Sequence, residues 1–491
     1  MVKGSQIAPV IAEGFDGKNG ASPSIAVAII EADNFNDEHP GFKTAATGSR
    51  IVARRQCTIT SCSPVPGNNF GAPADVVLPH HSTAVAGLIF GDLRDGQDPL
   101  VTIPNDRIKR SGYAGEANGE LYRIVASSAA LMMAFDDLIS LPRELVNNSV
   151  ANSKVTSPVP DDPSCLGQSP LNLAANEMYE AGITLVQSGG NDGHTSTTQC
   201  MVSAPGAAIG VFTVGSHGTT AAGAESDVRS GAISTNSPRG CTSSQGANRT
   251  IIDLTAFSAR SLMFDKYGGY TYTAQGASFA APTVTAAAIN FLDFYRQKNA
   301  GSVFMEDPGA RHVNMLLMGD RTDEVGARMT VRYSNLFGAG RLKMRIKTNA
   351  NMDYPSDWKV GQVCIGHNEV FQVKINSGNA LLGTVDDLKI AIFWYDSRHQ
   401  KGVAIDNVDL RLRTMAGASV LSSLSTADNK ERIFYNAAGN KALKFEIIGT
   451  NVTSDEAGCG TNKMLVYWPY FYEDDFRDDV DGPLASVVNP E

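Results

Sequence analysis

Short aliphatic runs alternating with helix-like segments leave few folds open to this chain. Residues 25–30 (IAVAII) form a brief, β-branched run bounded by Pro23 and a polar stretch, which predicts a strand buried on both faces. Residues 83–90 (TAVAGLIF) have the small, apolar character of a helix packed inside a core. There follow a helix-like segment over 122–141, a short strand over 144–150 (ELVNNSV), a helix over 171–182 and a strand over 183–188 that ends in Gly189, Gly190 and Asn191. Strand and helix in alternation predict an α/β domain built on a parallel sheet, with ligands outside the carboxyl ends of its strands. Residues 57–79, punctuated by Pro, Gly and Asn, read as an irregular excursion.

The texture changes beyond residue 344. From about Trp358 to Tyr472 apolar and polar residues alternate, in runs such as 369–375 (EVFQVKI), 388–395 (LKIAIFWY), 408–413 (VDLRLR) and 442–448 (ALKFEII) separated by turn residues. That is the pattern of an antiparallel all-β sandwich. The expected organisation is the α/β domain over 1–350, a sandwich over 351–475 and an acidic tail over 476–491. A formal net charge of -10 argues against a nucleic-acid partner, because phosphate affinity rests on clustered Lys and Arg. No apolar stretch is long enough to span a bilayer, and the segment after Met1 is too polar to read as a signal peptide. Seven cysteines leave at least one without an intramolecular partner. Cys57 and Cys62 are close enough to staple a local loop, Cys165 and Cys200 to close a longer one, and Cys364 and Cys459 share the C-terminal region. Low charge, many small polar residues and sequons at Asn147, Asn248 and Asn451 fit a secreted or extracellular setting, although the sequons themselves read as chance tripeptides.

Three segments can carry chemistry. Ser278 lies in QGASFAAP (275–282), where glycine permits a sharp turn and a long alanine-rich helix follows, with Pro282 placed where a first helical turn tolerates it. A hydroxyl at a helix N-terminus sits among amides that favour developing negative charge. His81, in HHSTAVAG (80–87), supplies an imidazole whose pKa suits a general base, and His80 is the adjacent alternative. Asn191, in LVQSGGNDG (185–193), presents a side-chain amide at the carboxyl end of a strand, where it could donate to an oxyanion. Taken singly, each is also ordinary: a helix cap, a packed histidine, a turn asparagine.

Together and in this order, the segments resemble the subtilase family. HSTAVAG is similar to its histidine motif, SGGNDG to its oxyanion-asparagine motif and GASFAAP to its serine motif. Residues 25–42 (IAVAIIEADNFNDEHPGF), with His39 and Pro40, resemble the strand and loop that carry its aspartate. ELVNNSVANS (144–153) resembles the edge strand lining its cleft, and the C-terminal segments LKIAIFWYD and AIDNVDLRL resemble the jelly-roll domains appended to several subtilases. The resemblance covers roughly residues 20–345. It implies a serine endopeptidase with Ser278 as nucleophile, His81 as base and Asn191 as oxyanion donor. A polypeptide substrate would run beside Ser149, Val150 and Ala151 and against Ser188, Gly189 and Gly190. No cofactor is needed for the chemistry, and a structural calcium ion is a family inference only.

The sequence departs from that pattern at the acid. The strand ends in Glu31-Ala32-Asp33, where the family usually has aspartate followed by Ser or Thr and glycine. Aligning IAVAII without a gap puts Glu31 at the acid's position, while Asp33, two residues on, shares its face if the strand continues. Glu31 is the expected third member and Asp33 the alternative. Ser82, Ala84 and Ala277 also replace the family's usual residues, so a catalytically impaired pseudoprotease or binding module is the competing reading.

Overall fold

The computed structural model describes residues 16–18, 24–43, 48–66, 70, 81–91, 112, 114–141, 143–150, 167–193, 201–218, 233–234, 236–240, 249–258, 262–265, 267–272, 276–298, 302–320, 336–342, 347–348, 352–353, 358–375, 385–401, 404–435 and 443–474. The aliphatic run at 25–30 forms β1 (Ala26–Glu31). There follow β2 (Ile51–Cys57), β3 (Cys62–Pro64), α1 (His81–Phe90), β4 (Asn118–Ile124), α2 (Ser128–Ile139), β5 (Leu145–Asn148), α3 (Pro170–Glu180), β6 (Thr184–Ser188), β7 (Phe212–His217) and β8 (Leu254–Phe257). The short pair β9 (Leu262–Phe264) and β10 (Tyr270–Tyr272) leads into the long helix α4 (Ala277–Lys298) and then α5 (Pro308–Leu317), β11 (Gly319–Asp320) and β12 (Arg341–Leu342).

Among the described residues ten strands make one sheet in the order β11, β12, β8, β7, β6, β5, β1, β4, β2, β3. The pairs from β12 through to β2 are parallel, and antiparallel β11 and β3 close the two edges. The alternation of strand side chains assigns the two faces. Val27 and Ile29 join the core formed with α1 and α4, whereas Ala28 and Ile30 face α2 and α3. Glu31 has the parity of Val27 and Ile29 and so emerges on the α1 side.

Several expectations need correction. The helix-like segment 122–141 is strand at its start, because Leu121 and Tyr122 enter opposite cores, and the helix begins only where the Ser127 hydroxyl accepts from the Ala130 amide at 3.1 Å. Residues 144–150 do not form an edge strand: β5 lies inside the sheet between β1 and β6. The irregular excursion contains β3, stapled to β2 by the Cys57–Cys62 disulfide. Pro282 falls in the second turn of α4, not the first, because the helix already begins at Ala277.

After the small hairpin β13 (Lys347–Thr348) and β14 (Met352–Asp353), the chain builds β15 (Lys359–Gly366), β16 (Val370–Ile375), β17 (Val385–Trp394), β18 (Asn407–Thr414), β19 (Ser419–Ser423), β20 (Lys430–Tyr435), β21 (Leu443–Asn451) and β22 (Lys463–Asp474). Two antiparallel four-stranded sheets result, ordered β15, β22, β17, β20 and β16, β21, β18, β19. Trp468 of one sheet meets Phe445 of the other edge-on, with ring centroids 5.6 Å apart, and the Cys364–Cys459 disulfide links β15 to the segment before β22. Cys165, Cys200 and the tail over 476–491 lie outside the described residues.

The sandwich docks on the amino ends of the parallel strands. His312 of α5 stacks on Phe393 at 4.0 Å, and Tyr179 stacks on Tyr395 at 4.3 Å. Asp253, just before β8, is wholly buried; it accepts from the Thr213 amide at 2.6 Å and pairs with Lys430 of β20. Burial alone would push the Asp253 carboxyl up, but Lys430 and His312 hold it below the usual carboxylate range. The opposite, carboxyl ends of the strands are left for a site.

Candidate active site

Glu31 is the last residue of β1 and is 2% exposed. Its Oε2 lies 3.0 Å from Nδ1 of His81, the first residue of α1. Asp33 Oδ1 accepts from the Asn34 amide at 2.8 Å, and its charge still reaches the imidazole. The loop after β1 is tied to α1 where the Asn36 amide donates to Thr83 Oγ1 at 2.8 Å. The helix is braced from its other side by Phe264: a Cβ at Gly87 would come within 2.7 Å of that ring, so the close approach needs glycine. His39 stacks on Phe264 at 4.0 Å, with Nε2 3.0 Å from the Gly269 carbonyl and Nδ1 accepting from the Gly41 amide, so both of its ring nitrogens are used structurally.

The His81 side chain is about a third exposed. Burial disfavours its imidazolium, but the Glu31 charge and hydrogen bond, helped by Asp33, outweigh this and leave its pKa above 6.5. Glu31 at Nδ1 leaves Nε2 as the nitrogen available for proton transfer.

Ser278, 8% exposed, occupies the second position of α4. The His81 and Phe279 rings lie 5.0 Å apart, which brings the start of α4 against the start of α1. The Ser278 hydroxyl donates to the Ser149 carbonyl at 3.4 Å, and the Ser149 hydroxyl donates to the Ser278 carbonyl at 2.9 Å. No hydrogen bond joins Ser278 to His81 in this arrangement.

Asn191 is carried by the turn after β6, where Gly190 adopts a φ of +100° that favours glycine. Its Oδ1 accepts from the Ala277 amide at 2.7 Å. That bond fixes the orientation of the amide: the oxygen faces the helix start, and Nδ2 keeps its protons for another acceptor. Gly276 is packed on the same amide, since a Cβ there would lie 3.2 Å from Oδ1. Ser188, Gly189 and Gly190 are buried beside it, Val150 is half-buried, and Ala151 lies outside the described residues. The described residues thus bring Glu31, His81, Ser278, Asn191 and Ser149 together at the carboxyl end of the sheet.

A profile of the subtilase family matches residues 22–312, more than half of the chain. The chain belongs to the subtilase family. It is a subtilisin-like serine endopeptidase, with an α/β parallel-sheet catalytic domain followed by an all-β domain. Among solved structures it is similar to a cold adapted subtilisin-like serine proteinase (TM-score 0.39, 18% identity, covering 64% of this chain and 87% of that one). It is also similar to a lanthipeptide protease (0.44, 18%, 70% and 93%) and to the serine protease of Aeromonas sobria (0.42, 13%, 94% and 89%). No curated protein gives a significant match. The family assignment rests on the profile.

Sequence reasoning missed the buried polar layer beneath this subtilase's site. The Asn148 amide donates to Gln187 Oε1 at 2.6 Å, and Gln187 Nε2 donates to the carbonyls of Ser188 (2.7 Å) and Val150 (3.2 Å). Three polar residues in a row at 147–149 were the available signal, since a strand between two helical layers has no solvent to satisfy them. The Asn147 sequon is a chance tripeptide, for the side chain is wholly buried. Among the described residues no group of three or more His, Cys, Asp or Glu side chains is placed to hold a metal ion, and no helix is long and apolar enough to cross a membrane.

Proposed function

We propose that Ser278 is the nucleophile of peptide-bond hydrolysis, with His81 as general base, Glu31 as the orienting acid and Asn191 as an oxyanion donor. The observation that carries this reading is the 3.0 Å contact between Glu31 Oε2 and His81 Nδ1, made on the face of the sheet where α4 begins, with Ser278 in its second position. In the first step Ser278 Oγ attacks the peptide carbonyl and passes its proton to His81 Nε2. The carbonyl's electron pair moves onto its oxygen, which is stabilised by Asn191 Nδ2 and the Ser278 amide. Collapse expels the amine, which takes the proton from His81, and leaves an acyl-enzyme on Ser278. Water deprotonated by His81 then attacks the acyl carbon and frees the acid, and the proton returns to Ser278. Glu31 holds the imidazole through Nδ1 and stabilises the imidazolium.

The substrate runs extended along the end of β5. An added strand hydrogen-bonds through alternate residues of its host. Val150 has already given its amide to Asn148 Oδ1 (3.1 Å) and its carbonyl to Gln187, so pairing with substrate falls to the neighbouring main chain, where it displaces the Ser278 hydroxyl from the Ser149 carbonyl. Gly189 is likewise committed, to Val214 and Ser203, and serves as a wall of the cleft with Ser188 and Gly190. The sandwich, with its two four-stranded sheets, is read as a jelly roll that stabilises the catalytic domain from the end opposite the cleft. Two disulfides support secretion into an oxidising compartment.

The test is cleavage of unfolded casein by the intact protein and by His81→Ala. Steady proteolysis that the substitution abolishes is the expected result; equal proteolysis by both proteins would remove His81 from the mechanism.

A further inference from the structure

The nucleophile's own carbonyl lacks its helical partner. In an α-helix each carbonyl accepts from the amide four residues on, and for Ser278 that residue is Pro282, which has no N–H and whose ring crowds the same carbonyl. A buried carbonyl left without a donor is costly, so another group must supply one. The Ser149 hydroxyl does so, at 2.9 Å.

Hydrogen-bond direction extends the chain. Ser149 has a single hydroxyl proton, and Asn147 Nδ2 donates to the same oxygen at 3.1 Å, which leaves that proton for the Ser278 carbonyl. Asn147 Oδ1 in turn faces Thr285 Oγ1 at 3.1 Å, a hydroxyl whose one proton is shared with the Ala281 carbonyl at 3.0 Å. Thr285 stands on α4 about two turns beyond Ser278. The relay therefore leaves the helix at Thr285, crosses the end of β5 and returns to the helix at the nucleophile.

We propose that Asn147 and Ser149 are positioning residues for the nucleophile, their side chains forming a polar relay that replaces the hydrogen bond Pro282 removes and so fixes the Ser278 peptide against His81 and the oxyanion site. This role belongs to the Ser149 side chain and is separate from main-chain pairing with substrate. It rests on the reading of Ser278 as nucleophile.

The relay is tested by Ser149→Ala, Pro282→Ala, their combination and Asn147→Asp, with kcat and KM measured on one peptide substrate. Ser149→Ala keeps the main-chain carbonyl, so kcat falls about tenfold, the scale of one hydrogen bond, while KM holds. Pro282→Ala returns an amide to the helix, so adding Ser149→Ala to it costs no further kcat. Asn147→Asp, whose carboxylate accepts the Ser149 proton and turns it from Ser278, matches Ser149→Ala and adds nothing to it. Full kcat in Ser149→Ala, or equal losses from Ser149→Ala with and without Pro282→Ala, would overturn the relay. The same coupling between positions 149 and 282 is read in thermal unfolding midpoints, which do not depend on which residue is the nucleophile. A Ser278→Ala control that still turns over counts against the nucleophile alone.

Discussion

Glu31 Oε2 lies 3.0 Å from His81 Nδ1, while Asp33, two residues further along the chain, accepts from the Asn34 amide instead. A one-methylene-longer acid thus reaches the imidazole from the last position of β1. Glu31→Gln should leave the fold intact and lower kcat by up to about 10,000-fold, because an amide there favours the wrong imidazole tautomer. Asp33→Asn should keep most of the activity. Steady-state kinetics on both variants, with matched melting temperatures, distinguish the two; the reverse outcome makes Asp33 the acid.

The pH dependence follows from the same pair. His81 must be neutral to accept the Ser278 proton, so kcat/KM rises with pH through the His81 pKa. The Glu31 and Asp33 charges hold that pKa above 6.5, which places the midpoint of the rise above 6.5. Asp33→Asn removes one of those charges and should move the midpoint to lower pH without changing the plateau. For stability the sign is opposite: the stabilisation from a protonated, paired His81 is present below the ordinary histidine pKa and is lost as pH rises through the raised one. An unshifted pH–rate profile in Asp33→Asn would show that this charge does not reach the imidazole.

Asn191 has one end of its amide committed to the Ala277 amide, and in the proposed mechanism Nδ2 meets the oxyanion. Asn191→Ala should lower kcat by about 100- to 1000-fold with little change in KM, the scale of one oxyanion donor. Asn191→Asp should be no better, since the carboxylate has no proton to offer. Unchanged turnover in either variant contradicts the assignment.

The segments that meet at the carboxyl end of the sheet were legible in the sequence because each is local. An ungapped aliphatic strand placed Glu31, a glycine pair marked the turn before Asn191, and a serine ahead of an alanine-rich helix marked Ser278. The relay was hidden because it depends on tertiary burial: Asn147 reads as a sequon until β5 is known to lie inside the sheet, and Ser149 reads as cleft backbone until Pro282 is placed in the second turn of α4. The 122–141 segment misled for a related reason. Its strand and helix are joined by only three residues, Val125–Ser127, so two periodicities blur into one. The pairing of Asp253 with Lys430, 177 residues apart, leaves no local trace at all.

That pairing predicts how the two domains depend on each other. Lys430→Met strands a buried carboxylate and should cost about 3–5 kcal/mol of stability. Ending the chain near residue 350 also uncovers α5, whose residues are buried throughout, and should give an insoluble or less stable catalytic domain. Thermal unfolding of both proteins checks this. A truncated chain with an unchanged melting temperature and full activity on large substrates would show that the sandwich does not support the fold.

Covalent capture is the sharpest test of Ser278 as the nucleophile. The intact protein is incubated with a fluorophosphonate, digested and mapped by mass spectrometry, with Ser278→Ala treated in parallel. The expected result is a single phosphonyl adduct on the peptide containing Ser278, and none in the variant. A correctly folded protein that takes up no label, or that carries the label on another residue, would contradict it.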